Sequence, residues 1–294
     1  MMQEYENRVT VRKPSMGART GYFFLSLAPV AACVVLQVIC VFVVLVGALV
    51  LALLKTPIDY TDIAAVEAMY MEVALGSAPA GMLAYHVVGT LVFGIWYYFS
   101  FRRPRPRLLD SIRKLNLKNL IITVVCGVGL CFFANGTVCI EAVLMPEIVE
   151  DYIEMAETAG LGTNVLTIVA SVVLAPIGEE FICRGLAQKY AKKCFGRFWI
   201  ANLLQALLFG LIHMNWVQGI YAFAIGLVLG WLVERYDTIL PAILLHCVVN
   251  FSSTVWVGYV LGPVPMNLVS GLILVIVPSV LIGGMLIWGG KKKV

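Results

Sequence analysis

The chain has 294 residues, of which 61% are hydrophobic and only 13% charged, and its mean hydropathy is +0.93. A soluble domain is roughly 45–50% apolar and about 25% charged, so these values exclude one and read as an all-α, polytopic membrane protein. The formal net charge of +4 fits loop lysines and arginines rather than a nucleic-acid surface, and no nucleic-acid partner is expected.

The first twenty residues are polar and basic. The apolar run Gly21–Leu54 is far longer than a signal-peptide core of about 7–15 residues, so it reads as a retained first span. About 20 apolar residues cross a bilayer, and eight stretches qualify as spans or come near to it. They lie within Tyr22–Leu54, Ala80–Phe101, Leu120–Leu144, Leu161–Tyr190, Phe198–His213, Val217–Val233, Ile239–Tyr259 and Asn267–Gly289. Only Met214, Asn215 and Trp216 separate the fifth from the sixth.

Arg8, Arg12, Lys13 and Arg19 precede the first span, and Arg102, Arg103, Arg105, Arg107, Arg113, Lys114 and Lys118 follow the second. Lys189, Lys192, Lys193 and Arg197 follow the fourth, and Lys291–Lys293 the eighth. The loops after the first and third spans are acidic: Asp59, Asp62, Glu67 and Glu72, then Glu141, Glu147, Glu150, Asp151, Glu154 and Glu157. Positive charge marks the cytoplasmic side, so both termini are expected there. Tyr60–Leu75 and Pro146–Ala159 can each be written as a short amphipathic helix on the outer surface, with a plain solvated loop as the alternative. The basic segment Arg102–Lys118 reads as a topology signal that could also hold anionic headgroups. The eight cysteines lie mostly in apolar runs without zinc-ligand spacing, and read as small hydrophobes.

Ionisable residues at membrane depth are costly and usually functional. Glu179-Glu180-x-x-x-Arg184 puts three of them in the fourth span, just after Pro176 and Gly178, which can loosen the helix. Glu180 and Arg184 are i,i+4 and can pair, leaving Glu179, about 100° round the helix, without that partner. The fifth span carries Phe209-x-x-x-His213 and the seventh His246-x-x-x-Asn250. His86 stands alone on the second span and reads as a packing residue. At 1.5 Å per residue Glu179 lies roughly 16 Å from the inner end, His213 about 22 Å, and His246 and Asn250 about 12 and 18 Å. These depths let the groups meet in the middle or inner half of the membrane. Such a set suits hydrolysis of an amide by activated water. Glu179 with His213 would act as general base, and His246 with Asn250 would donate to the oxyanion.

These three motifs, in this order on successive apolar spans, resemble the CAAX protease and bacteriocin-processing (CPBP/Abi) family of intramembrane glutamate proteases. The resemblance covers about Leu161 to Tyr259. It implies Glu179, His213, His246 and Asn250 as catalytic residues, Glu180 and Arg184 as a supporting pair, and Phe209 beside them. It implies no cofactor and no metal. The substrate would be a peptide or lipidated protein at the bilayer, prenylated or leader-bearing, entering laterally or through a cytoplasmic mouth.

The chain then divides into a tail with three spans (1–160), a catalytic core (161–260), and a last span with a basic tail (261–294). The expected location is a bacterial plasma membrane; in a eukaryotic host the terminal K-K-K-V would read as an endoplasmic-reticulum retrieval signal. Three alternatives stay open. Glu179, His213 and His246 could form a zinc-protease ligand set, or the same polar cavity could serve a transporter or a non-proteolytic, peptide-binding scaffold. The oligomeric state is open too.

Overall fold

The computed structural model describes residues 14–55, 61–101, 108–158 and 165–289. Of the charges used to orient the chain, Arg8, Arg12, Lys13, Asp59, Arg102, Arg103, Arg105, Arg107 and Lys291–Lys293 lie outside these residues, as do Tyr60, Ala159 and the start of the expected fourth span, 161–164.

The described residues contain helices and no strands. In order they are α1 (Met16–Lys55), α2 (Ile63–Ser100), the short α3 (Leu108–Arg113), α4 (Leu117–Leu144), α5 (Pro146–Thr158), α6 (Val165–Phe195), α7 (Phe198–Leu211), α8 (Trp216–Tyr236), α9 (Leu240–Leu261) and α10 (Leu268–Gly289). Seven of them are long and apolar enough to cross a membrane, which makes this an integral, multi-pass membrane protein. The fifth expected span is α7, apolar but only 14 residues long, about 21 Å at 1.5 Å per residue.

Short polar side chains set several helix starts. Asp62 accepts from Ala65 N at 3.1 Å, Asn116 from Asn119 N at 3.0 Å, and Asn215 from Gln218 N at 3.1 Å, each satisfying an otherwise orphaned first-turn donor. Gly196, left-handed at φ 67°, ends α6 and turns the chain into α7. The acidic stretch expected as a separate surface helix at Tyr60–Leu75 is instead the opening of α2. The charged turns and the apolar turns are equally helical, so composition there marks the membrane boundary and not the helix end. The second expected surface helix is α5, with Val149 buried beneath an acidic outer face.

The central helix is α6, which packs against α1, α2, α7, α8 and α9, while α10 pairs with α4. At that pair a Cβ on Gly271 would meet Gly136 O at 3.0 Å and one on Gly136 would meet Gly271 O at 2.9 Å. The two backbones approach as closely as small residues allow in membranes. The basic helix ends lie side by side. Arg19 Nε donates to Cys194 O at 2.8 Å, Lys114 Nζ to Tyr236 O at 2.8 Å, Lys118 Nζ to Trp288 O at 3.0 Å and Arg235 Nη2 to Gly289 O at 2.9 Å. These cations meet the carbonyls at helix C-termini, where positive charge is favoured.

Candidate active site

The site is built on a change of helical register within α6. Ala170–Leu174 and Phe181–Ala187 are π-helical, and Ala175 N–H donates to Ala170 O, five residues back. In that register the donor due to Ser171 O is residue 176, a proline, which has no N–H. Asn250 Nδ2 supplies the missing bond, donating to Ser171 O at 2.8 Å. The candidate carboxamide is therefore tied to α6 by the gap that Pro176 leaves. Beside it Gly178 lets α2 come close, since a Cβ there would meet Thr90 Oγ1 at 3.1 Å.

Glu180 and Arg184 are fully buried and paired at 2.8 Å. Arg184 also donates to Gly226 O at 3.3 Å, and its guanidinium lies 4.3 Å from the Phe209 ring centroid. Glu180 Oε1 takes a second contact, His246 Nδ1 at 3.1 Å. Phe209 meets the His213 ring edge-on at 5.0 Å and the His246 ring at 5.5 Å. One aromatic ring thus spaces both imidazoles and covers the cation. The helical-face argument for the Glu180–Arg184 pair agrees with this geometry.

Glu179 turns the other way, into a cavity of about 670 Å³ that Phe209, His213, His246 and Asn250 also line. Its Oε2 lies 3.6 Å from His246 Nε2, so that ring sits between the two glutamates. His213 Nδ1 is 2.7 Å from Phe209 O. A carbonyl can only accept, so Nδ1 carries a proton, and in the neutral ring Nε2 then keeps its lone pair. The structure thus brings all four expected catalytic residues to the lining of one cavity. Two of them have partners that the sequence did not suggest: His246 is held by carboxylates and Asn250 by a backbone carbonyl. Among the described residues no group of three or more His, Cys, Asp and Glu side chains is arranged to hold a metal ion.

Other contributors escaped sequence reading. The cavity draws on α1, α2, α4 and α5 as well as the expected core, through Gln37, His86, Asn135 and Tyr152 among others. His86, expected only to pack, does pack against Tyr85, ring centroids 4.7 Å apart and tilted by 53°, but it also lines the cavity that holds Glu179. Behind the site runs a buried polar ladder. Gln188 Nε2 donates to Gly230 O at 3.0 Å, Gln205 Nε2 to Gly226 O at 2.9 Å and to Asn202 Oδ1 at 2.7 Å, and Asn202 Nδ2 to Leu227 O at 3.0 Å. The signal was present: Gln188 continues the i,i+4 stripe of Glu180 and Arg184, and Asn202 and Gln205 are the i,i+3 polar pair of an apolar helix. Cys183, read as a small hydrophobe, is fully buried and outside the cavity.

Residues 161–252 match the family model described as type II CAAX prenyl endopeptidase, Rce1-like. No curated protein and no solved structure matches the chain.

Proposed function

Because residues 161–252 carry a domain of the CAAX protease family, we propose that this chain is an intramembrane endopeptidase in which Glu179 activates water. The observation that carries the reading is one cavity lined by Glu179, His213, His246 and Asn250 together. Glu179 takes a proton from a water also held by His213 Nε2, and the water oxygen adds to the scissile carbonyl carbon. The second Nδ2 hydrogen of Asn250 and a ring N–H of His246, whose Nδ1 lies 3.1 Å from Glu180 Oε1, donate to the oxyanion. Collapse breaks the C–N bond, and the departing amine takes the proton back from Glu179. Preorganised donors of this kind contribute on the order of 10²–10³ in rate each. The substrate is a membrane-associated peptide segment, prenylated or not. The 161–260 core supplies the catalytic groups; the flanking spans complete the cavity.

The test is cleavage of quenched fluorescent peptides, prenylated and unmodified, by detergent-purified protein. Cleavage that survives a strong zinc chelator and disappears in Glu179→Gln is the expected result. Loss of cleavage on chelation would replace this reading with a zinc-dependent one. Peptide binding without cleavage by wild type would replace it with a scaffold.

A further inference from the structure

On the helices that line it, the cavity lies away from the basic ends. On α2 the lining residues run from Ala78 to His86, with none in the last fourteen residues toward the basic end at Ser100. On α4 they begin at Ala134, on α6 they end at Glu179, on α8 they end at Ile225, and on α9 they begin at His246. In each case the lining half faces the acidic loops. Tyr152 and Met155 of the acidic helix α5, and Met214 of the loop after α7, complete the wall.

The two ends of this space differ. Met155 is 45% and Met214 65% exposed, so they form an open rim. Toward the basic side Phe93, Cys183, Leu186, Leu229 and Leu245 are each fully buried, and Glu180 and Arg184 sit among them without exposure. This floor closes the direction of a cytoplasmic mouth, one of the two entry routes that the sequence left open.

We propose that the cavity opens on the face opposite the basic loops, so that the enzyme takes its peptide from the extracytoplasmic side. The side follows from the positive-inside rule; only the fate of the bound peptide rests on the proteolytic reading above. The lining residues include no lysine or arginine, while Gln37, Asn135 and Gln218 present neutral carboxamides. An uncharged, extended segment fits them, its backbone amides pairing with those side chains. Outside the rim Glu147, Glu150, Asp151, Glu154 and Glu157 of α5 are all exposed, a field that draws in peptides with basic residues flanking the neutral segment.

Two arms test this on the full-length protein. In the first, Met155→Cys, Met214→Cys and Lys192→Cys are labelled with a membrane-impermeant maleimide in intact cells and in inverted vesicles, against the parent as baseline. Positions 155 and 214 should label from outside intact cells, and position 192 only in inverted vesicles; the reverse pattern overturns the proposal. In the second, an impermeant quenched peptide with lysine flanks and its glutamate-flanked counterpart are given to right-side-out and inverted vesicles. Cleavage should occur only in right-side-out vesicles, and roughly tenfold faster with lysine flanks at low salt. Cleavage confined to inverted vesicles overturns the proposal. The expected labelling with no cleavage on either side, in vesicles or in detergent, would uphold the mouth and overturn the proteolytic reading instead.

Discussion

On the basic side of Glu180 the bundle is solid: α6 seats Cys183, Leu186 and Ala187 against its neighbours without exposure, and the buried Arg184 donates to Glu180 and to Gly226 O. On the acidic side the same helices part around about 670 Å³. Both halves are drawn from equally apolar spans, so hydrophobicity does not separate them. What differs is how polar groups are satisfied. In the solid half side-chain N–H groups donate to backbone carbonyls, as in Gln188 to Gly230 and Gln205 to Gly226, while Glu180 Oε2, Gln188 Oε1 and Gln205 Oε1 are buried without a partner. In the hollow half Glu179, His213 Nε2 and Gln37 keep bonding capacity facing the cavity. The packed half and the proposed chemistry therefore occupy opposite ends of one bundle.

The contrast predicts separable damage. The largest effect expected is on rate: Glu179→Gln should lower cleavage by roughly 10²–10⁴-fold, the usual range for a lost general base, while the thermal midpoint in detergent stays near wild type. A matching fall in midpoint would mean that the hollow half is structural after all. Next comes Arg184→Ala, which strands the buried Glu180 carboxylate and should cost about 3–5 kcal/mol, read from the shift in thermal or denaturant unfolding. Gly230→Ala should follow at about 1–3 kcal/mol by overpacking, because a Cβ there would run into Asn202 Oδ1 and Gln205 Nε2; its activity per folded molecule should be preserved. The smallest belongs to Lys192→Ala. That residue pairs with Glu234 at 2.7 Å but its side chain is 47% exposed, so the loss should fall within about 0–1 kcal/mol and shrink with added salt.

Much of the architecture was legible because the membrane imposes it: long apolar runs mark spans, and charges on alternate loops mark sides. The site was legible in part for a related reason. Glu179, Glu180, Arg184, His213, His246 and Asn250 are conspicuous inside apolar helices, and i,i+4 spacing assigns Glu180 to Arg184 by geometry alone. Sequence reading failed where contacts are long-range and single. His86 and Gln37 are lone polar residues on helices distant in sequence, and nothing local says which cavity they face. The π-helical register was half visible in Pro176, but the partner of the orphaned carbonyl lies at Asn250, 79 residues away. The depth estimate set the carboxylates near mid-membrane, yet could not say on which side of them the space lies.

The shortness of α7 bears on a supply problem. Hydrolysis inside a bilayer consumes water where almost none dissolves. A helix of about 21 Å, starting at the basic face just after Gly196, falls about 9 Å short of a hydrocarbon layer of about 30 Å. His213 lies at its far end. Lipid beside so short a helix thins or yields to solvent, which lowers the wet boundary toward the imidazole. For the proposed hydrolysis, a dimple in the membrane surface would shorten the path of water to His213, with no pore through the bundle required.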